Sequence, residues 1–305
     1  MLVENKDYHI PVLLKPSVDE LVQAADGIYV DVTYGGGGHS AEILSRLSSD
    51  GVLVAFDQDL DAEANLSADS RLSFVRQNFS FYQNYLRSLD KLPVDGVLAD
   101  LGVSSHQFDV AERGFSFRFD AGLDMRMNRD TDLTAFDIVM NYGEADLLRV
   151  FREYGELKNA YSVASRIAYR RKDEVIDTIE KLKSVLESLA PRGKFNTFYA
   201  KVFQALRIEV NDEMAALREF LEKSTDVIKQ GGRLVVITYH SLEDRMVKNF
   251  IKSGNIAGKL DKDFYGNVNR PFREINRKPI VPCEEEVELN NRARSAKMRI
   301  AEKIG

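Results

Sequence analysis

Four consecutive glycines, Gly35 to Gly38, stand between a β-rich run, Ile28 to Thr33, and a helical-looking segment, His39 to Leu47. Glycine loses the most conformational freedom on ordering and adopts positive φ readily, so such a run ends one element and opens the next. The pattern is strand, glycine turn, helix. Continuous apolar runs recur at Val52 to Phe56, Leu72 to Val75 and Val94 to Ala99, each suited to a strand buried on both faces. Between the last two lies a helix, Ser80 to Leu89, with Phe81, Tyr85 and Leu89 at helical spacing. Strands alternating with helices imply parallel pairing.

After Asp100 the alternation stops. From about Leu133 to Ile228 helical periodicity dominates, as in Leu147, Leu148, Val150, Phe151 and Tyr154. Gly114, Gly122 and the polar run Asn128 to Asp132 mark a loop-rich entry, and Pro191-Arg192-Gly193 an internal turn. Gly231-Gly232 is read as the end of the last helix, after which Arg233 to Thr238 restores a strand and Ser241 to Lys252 a helix. Phe272 to Lys278 and Ala296 to Ile304 read as two final strands, the second alternatively as a short helix, and seven strands suit the fold. The expected fold is α/β: a Rossmann-like, mostly parallel sheet of seven strands, residues 1-105 and 212-305, interrupted by an all-helical domain, residues 106-211. A chain of 305 residues is long enough for both.

Apolar residues at 44% and charged residues at 30% place the chain among soluble globular proteins. No run reaches the ~20 apolar residues of a membrane helix, and Met1 to His9 has no apolar signal core, so a cytoplasmic location is expected. One cysteine, Cys283, excludes an internal disulfide, and four widely spaced histidines give no zinc-site spacing, so no metal is expected. A net charge of −6 argues against a nucleic-acid partner, but Arg292, Arg294, Lys297, Arg299 and Lys303 face only Glu302 in the last stretch. That run is either a solvated face or a grip on phosphates.

The glycine turn alone is ambiguous. Gly36, Gly38 and Ala41 fit the nicotinamide fingerprint G-x-G-x-x-G/A, with Asp57 roughly 20 residues on, where an acid binds ribose hydroxyls. Asp31, however, ends the first strand just before the glycines, where a carboxylate repels a pyrophosphate and attracts a cation. Asp100 ends the fourth strand, so Asp31, Asp57 and Asp100 gather at the carboxyl edge where open α/β sheets bind ligands. Three acids there suit S-adenosylmethionine, a sulfonium; the alternative for Asp57 or Asp100 singly is a cap on the next helix. Phe79, just past the third strand, is placed to stack on adenine or to fill the core.

Methylation of a pyrimidine carbon calls for a cysteine nucleophile, whereas an exocyclic amine attacks a sulfonium directly once held in line. Cys283 lies far beyond the fourth strand, and the acids Glu284 to Glu286 after it disfavour a thiolate. An amine acceptor fits better. Asp100 is placed to orient it, with Ser104, Ser105 and Gln107 on the following loop and His240 and Ser241 after the fifth strand. His39 and His240 have a plainer reading, as residues completing helix starts.

The residues Gly37-Gly38-His39-Ser40, Asp100-Leu101-Gly102-Val103-Ser104-Ser105, Glu112 to Phe117, Leu123 to Met127, Phe203 to Ile208, His240 to Arg245 and Arg292 to Ser295 resemble the bacterial ribosomal RNA small-subunit methyltransferase H family. The similarity runs from His9-Ile10-Pro11 to the C-terminus. It implies a class I S-adenosylmethionine-dependent methyltransferase sheet with a helical insertion, acting on N4 of a cytidine in the decoding region of small-subunit ribosomal RNA. It also implies Gly37, Gly38, His39, Asp57, Phe79, Asp100 and Gln107 as cofactor contacts.

The fourth strand departs from the Asp/Asn-Pro-Pro-aromatic signature of other amino-methyltransferases, which leaves the amine-orienting group open. Lys201-Val202 replaces an Arg-Thr pair and His106 a proline common in the family; lysine keeps the charge but not the bidentate fork. The implied partner is ribosomal RNA within an assembling 30S subunit. A homodimer is compatible with the chain, although no pattern identifies an interface. The rival readings are a nicotinamide-dependent oxidoreductase and a non-catalytic RNA-binding assembly factor.

Overall fold

The computed structural model describes residues 11–266 and 268–304; His9 and Ile10 of the first motif lie outside them. The chain divides into two compact units, one formed by residues up to Gly102 together with Ala215 onward, the other by Val103–Met214. The divisions fall at 102/103 and 214/215 rather than at 105/106 and 211/212. Gly102, at φ +98°, turns the chain out of the fourth strand, and the return lies inside the first turn of a helix.

In the first unit, α1 (Leu14–Leu21) precedes β1 (Ile28–Asp31), α2 (Gly38–Arg46), β2 (Val52–Asp57), β3 (Leu72–Arg76), α3 (Tyr82–Ser88) and β4 (Val94–Asp100). The second unit contains α4 (Ser105–Asp109), α5 (Ala135–Asn141), α6 (Glu144–Glu153), α7 (Ala160–Arg170), α8 (Ile179–Leu186) and α9 (Phe195–Asn211). Then come α10 (Glu213–Val227), β5 (Ile228–Thr238), α11 (Ser241–Ser253), β6 (Phe272–Glu274), α12 (Glu284–Leu289) and β7 (Lys297–Lys303). The strands form one sheet in the order β3-β2-β1-β4-β5-β7-β6. Strands β1 to β5 pair in parallel, and β7 runs antiparallel to both β5 and β6. The order reverses between β1 and β4, the switch point where such sheets open a crevice for ligands.

The core of the first unit packs Val18, Leu21, Ile43, Leu53, Leu98, Val235, Ile237, Met298 and Ile300 together. The second unit has its own core, in which Leu147, Val150, Phe151, Val163, Ile167, Leu182, Phe203 and Leu206 interlock. There the buried Arg113 guanidinium donates to the carbonyls of Arg126 and Met127, joining two of the motif segments. A buried guanidinium without such acceptors costs several kcal/mol, roughly, which explains the pairing. Among the described residues no helix is long and apolar enough to cross a membrane.

Several local expectations are corrected. In and beside α3 the residues Phe81, Tyr85 and Leu89 are exposed, and the buried pair is Tyr82 and Leu86. Both sets recur at helical spacing, so periodicity could not choose between adjacent faces; the Tyr82 ring, tilted against Phe220 of α10, decides it. Gly231-Gly232 does not end α10, which stops at Val227; it forms an irregularity within β5. Gly231 has φ +79°, and a Cβ on Gly232 would meet the Asp95 carbonyl at 2.7 Å, so the glycines let β5 cross the start of β4. β6 ends at Glu274 rather than Lys278 because the Asn276 side chain takes over the pairing, accepting from Ile300 N–H at 2.8 Å and donating to Met298 O at 3.0 Å.

Candidate functional site

The carboxyl ends of β1, β2 and β4 carry Asp31, Asp57 and Asp100, and the pairing register holds these strands side by side. Asp31 is fully buried and accepts from Ser40 Oγ at 2.7 Å and Thr33 N–H at 3.1 Å. Asp57 accepts from Gly35 N–H at 2.8 Å and Asp59 N–H at 2.9 Å, which fixes the glycine turn to the end of β2. Asp100 accepts the Tyr239 hydroxyl hydrogen at 2.8 Å, and its second oxygen lies 3.8 Å from His39 Nδ1. The His39 Nε2 stands 3.2 Å from Val12 O; a carbonyl only accepts, so Nε2 carries the hydrogen and Nδ1 is the atom turned to Asp100.

This grouping is electrostatically costly. Burial pushes Asp57 and Asp100 up to about 6 each, and pushes Asp31 above the usual carboxylate range, while the negative charge of Asp31 raises the other two further. Asp57 and Asp100 keep some solvent contact, but desolvation of the carboxylates still leads. Opposing it at Asp100 are the His39 ring and the Tyr239 hydrogen bond. A cation entering here relieves both the burial and the mutual repulsion, which is the chemistry a sulfonium with an α-amino group brings. A pyrophosphate would worsen both.

The glycine turn has a structural reason as well. Gly37 has φ +78°, and a Cβ there would meet the Tyr34 hydroxyl at 2.7 Å; at Gly38 it would meet Pro11 Cγ at 2.2 Å. Tyr34 in turn donates to Asn65 O at 2.7 Å, tying the turn to the segment after β2. Phe79 is half-buried past β3, its ring edge-on to Phe220 at 5.7 Å, and the neighbouring Asn78 amide donates to Gln58 at 2.9 Å.

The remaining residues singled out from the sequence fall elsewhere. Ser104, Ser105 and Gln107 belong to the second unit, where Ser104 caps α4: its hydroxyl accepts from Gln107 N–H at 3.2 Å, and Gln107 Oε1 accepts from Ser104 N–H at 3.0 Å. That reciprocal box accounts for the local conformation. His240 is the cap of α11, its Nδ1 accepting weakly from Glu243 N–H at 3.4 Å, and Glu243 Oε2 accepts from Tyr239 and His240 N–H. Lys201 Nζ donates to Glu156 O at 3.3 Å within the second unit. Cys283 is exposed at the start of α12.

Three of the five cations in the basic C-terminal run are engaged internally. Arg299 is buried and bonded to Asp244 at 2.7 Å, Lys297 pairs with the same carboxylate at 3.5 Å, and Lys303 is buried beside the Phe272 ring. Arg292 and Arg294 lie on the short turn Asn291–Ser295. Tyr239 is the functional residue that sequence reasoning missed. It directly follows β5, so the strand-end rule that picked out Asp100 also points to it.

The model of the MraW methylase family matches residues 6–304. The chain is 58% identical over 296 residues to the ribosomal RNA small subunit methyltransferase H of Bacteroides thetaiotaomicron, covering 97% of each. It is 57% identical to the same-named protein of Parabacteroides distasonis, covering 99% of this chain and 100% of that one. The cofactor is therefore S-adenosylmethionine, the nicotinamide reading of the glycine turn falls, and the chain belongs to the MraW methylase family.

Proposed function

We propose that this protein methylates N4 of a cytidine in the decoding region of small-subunit ribosomal RNA. The observation that carries the reading is the Asp31, Asp57 and Asp100 cluster at the sheet's carboxyl edge, with Asp31 buried and Asp100 held by Tyr239; the relatives' name supplies the class of RNA. The cofactor contacts proposed are Gly37, Gly38, His39, Asp57, Phe79, Asp100 and Gln107, with Asp57 on the ribose hydroxyls. When bound, S-adenosylmethionine would supply an electrophilic methyl carbon, with the thioether as leaving group for an attacking nitrogen. Asp100 accepts a hydrogen bond from the flipped cytidine's amino group, aims its lone pair at that carbon, and leaves the displaced proton to solvent. Ser104, Ser105 and His240 are proposed to line the base's approach, and the helical unit and Arg292 and Arg294 to hold RNA.

The decisive experiment is a methyl-transfer assay on small-subunit particles followed by nucleoside analysis. N4-methylated cytidine is the expected product. A methyl group at another atom would move the target, and cofactor binding without transfer to any particle or RNA would favour a non-catalytic assembly factor.

Tyr239 is a positioning residue, since it acts through Asp100. Its hydroxyl favours the ionised carboxylate, so Tyr239→Phe raises the Asp100 value above about 6. Activity of the wild type is expected to fall as pH drops through about 6, and in Tyr239→Phe the same fall should begin at higher pH. A kcat/KM–pH profile, which reports the free enzyme, that is identical in both proteins would remove Tyr239 from this role. For Arg292 and Arg294, reversal of both charges is expected to weaken RNA binding and to lower the salt slope by about one for each phosphate no longer neutralised. An unchanged affinity counts against the grip.

A further inference from the structure

The segment between α11 and β6 is a built hairpin. At its base the Asn255 side chain bonds both to the Lys259 carbonyl at 2.6 Å and to the Lys259 N–H at 3.1 Å. Lys262 pairs antiparallel with Val268, and Asn269 N–H donates to Asp261 O at 2.8 Å. The tip is closed by Gly266 N–H on Asp263 O at 3.0 Å and by Tyr265 N–H on the Asp263 carboxylate at 2.9 Å, with Gly266 at φ +88°. On this closed turn Phe264 is 97% exposed and Tyr265 86%, the two most exposed large hydrophobic side chains among the described residues. Their rings stand at 89° with centroids 5.6 Å apart.

Single exposed apolar residues are ordinary, but two adjacent aromatic rings held out on an ordered tip present π-faces that only a partner covers. Lys259 and Lys262 are exposed on the same hairpin, Arg270 lies at its end and Lys252 in the last turn of α11. The intervening Asp261 and Asp263 carboxylates accept hydrogen bonds from Asn269 and from the Tyr265 backbone, inside the hairpin. Cations flanking exposed aromatic rings are the chemistry of single-stranded nucleic acid, whose bases stack while phosphates meet lysine and arginine. A membrane-surface anchor needs a far broader apolar face than two rings. We propose that the 254–271 hairpin is an RNA-binding arm whose tip residues Phe264 and Tyr265 stack on unpaired bases of the substrate. This rests on the reading of RNA as the methyl acceptor.

The chain contains no tryptophan, so Phe264→Trp installs a single fluorescent reporter at the tip. Its emission is expected to be quenched as a small-subunit ribosomal RNA fragment is titrated in, with the midpoint of an independent filter-binding curve, and to be unaffected by anionic phosphatidylglycerol vesicles. The Phe264→Ala, Tyr265→Ala double variant is expected to bind that RNA at least roughly 10-fold more weakly, with S-adenosylmethionine affinity by calorimetry unchanged. If the wild type binds and methylates RNA while the reporter is silent at saturation, or while the double variant binds equally well, the arm is overturned and the functional reading stands. Quenching by vesicles and not by RNA also overturns it. A wild type that neither binds nor methylates RNA sinks both.

Discussion

Asp100→Ala is expected to lower methyl transfer to small-subunit particles by at least roughly 10²-fold, the cost of letting a reacting group drift by about 1 Å from its in-line position. The substitution removes the carboxylate that faces His39 at 3.8 Å and leaves the half-buried Tyr239 hydroxyl without its acceptor, so it also costs about 1 kcal/mol of stability. Asp100→Asn separates the two effects. Its amide oxygen still accepts from Tyr239, the structure is retained, and only the charge is lost. If charge on Asp100 orients the cytidine amine, both variants are inactive and only the alanine protein melts early. Full transfer by Asp100→Asn would show that a neutral acceptor suffices, and full transfer by Asp100→Ala would remove the residue from the mechanism.

The second large effect concerns the cofactor. Asp57→Asn keeps an oxygen for one of the two N–H groups, of Gly35 and of Asp59, that the carboxylate accepts from, but loses the charge, and hydrogen bonds to a charged acceptor are worth roughly 1.5–3 kcal/mol. Calorimetry should therefore show S-adenosylmethionine bound roughly 10–100-fold more weakly. Because burial raises Asp57 and Asp100 to about 6 from 3.8, the folded protein without cofactor takes up protons that the unfolded chain does not between those values. Their contribution to stability is thus full below about 4 and is lost as pH rises through about 6. A cationic ligand offsets that loss, so the thermal shift produced by S-adenosylmethionine should be larger at pH 8 than at pH 5. Equal shifts at both values, or undiminished affinity in Asp57→Asn, would place the cofactor away from these acids.

Much of this arrangement is written locally. Glycines that only a turn can use, continuous apolar runs and acids at the ends of those runs give strand, turn and ligand edge directly, because each depends on neighbours a few residues away. So Asp31, Asp57 and Asp100 were legible, as was the helical unit. The residues that periodicity misjudged depend on partners far along the chain. Tyr82 rather than Tyr85 is buried because Phe220, in α10, lies against it. Three cations of the C-terminal run are engaged by Asp244 and Phe272. Asp100 is oriented by Tyr239, which is 139 positions away.

The sequence by itself determined the order of elements, the turn and the charges on the sheet's edge, since backbone conformation and burial pattern are short-range properties. The tertiary structure alone decided which helix face is inside, which cations are drawn into internal pairs and which hydroxyl holds Asp100. Those are settled by packing between distant segments, where a single hydrogen bond or ring contact selects among alternatives the local pattern leaves equal.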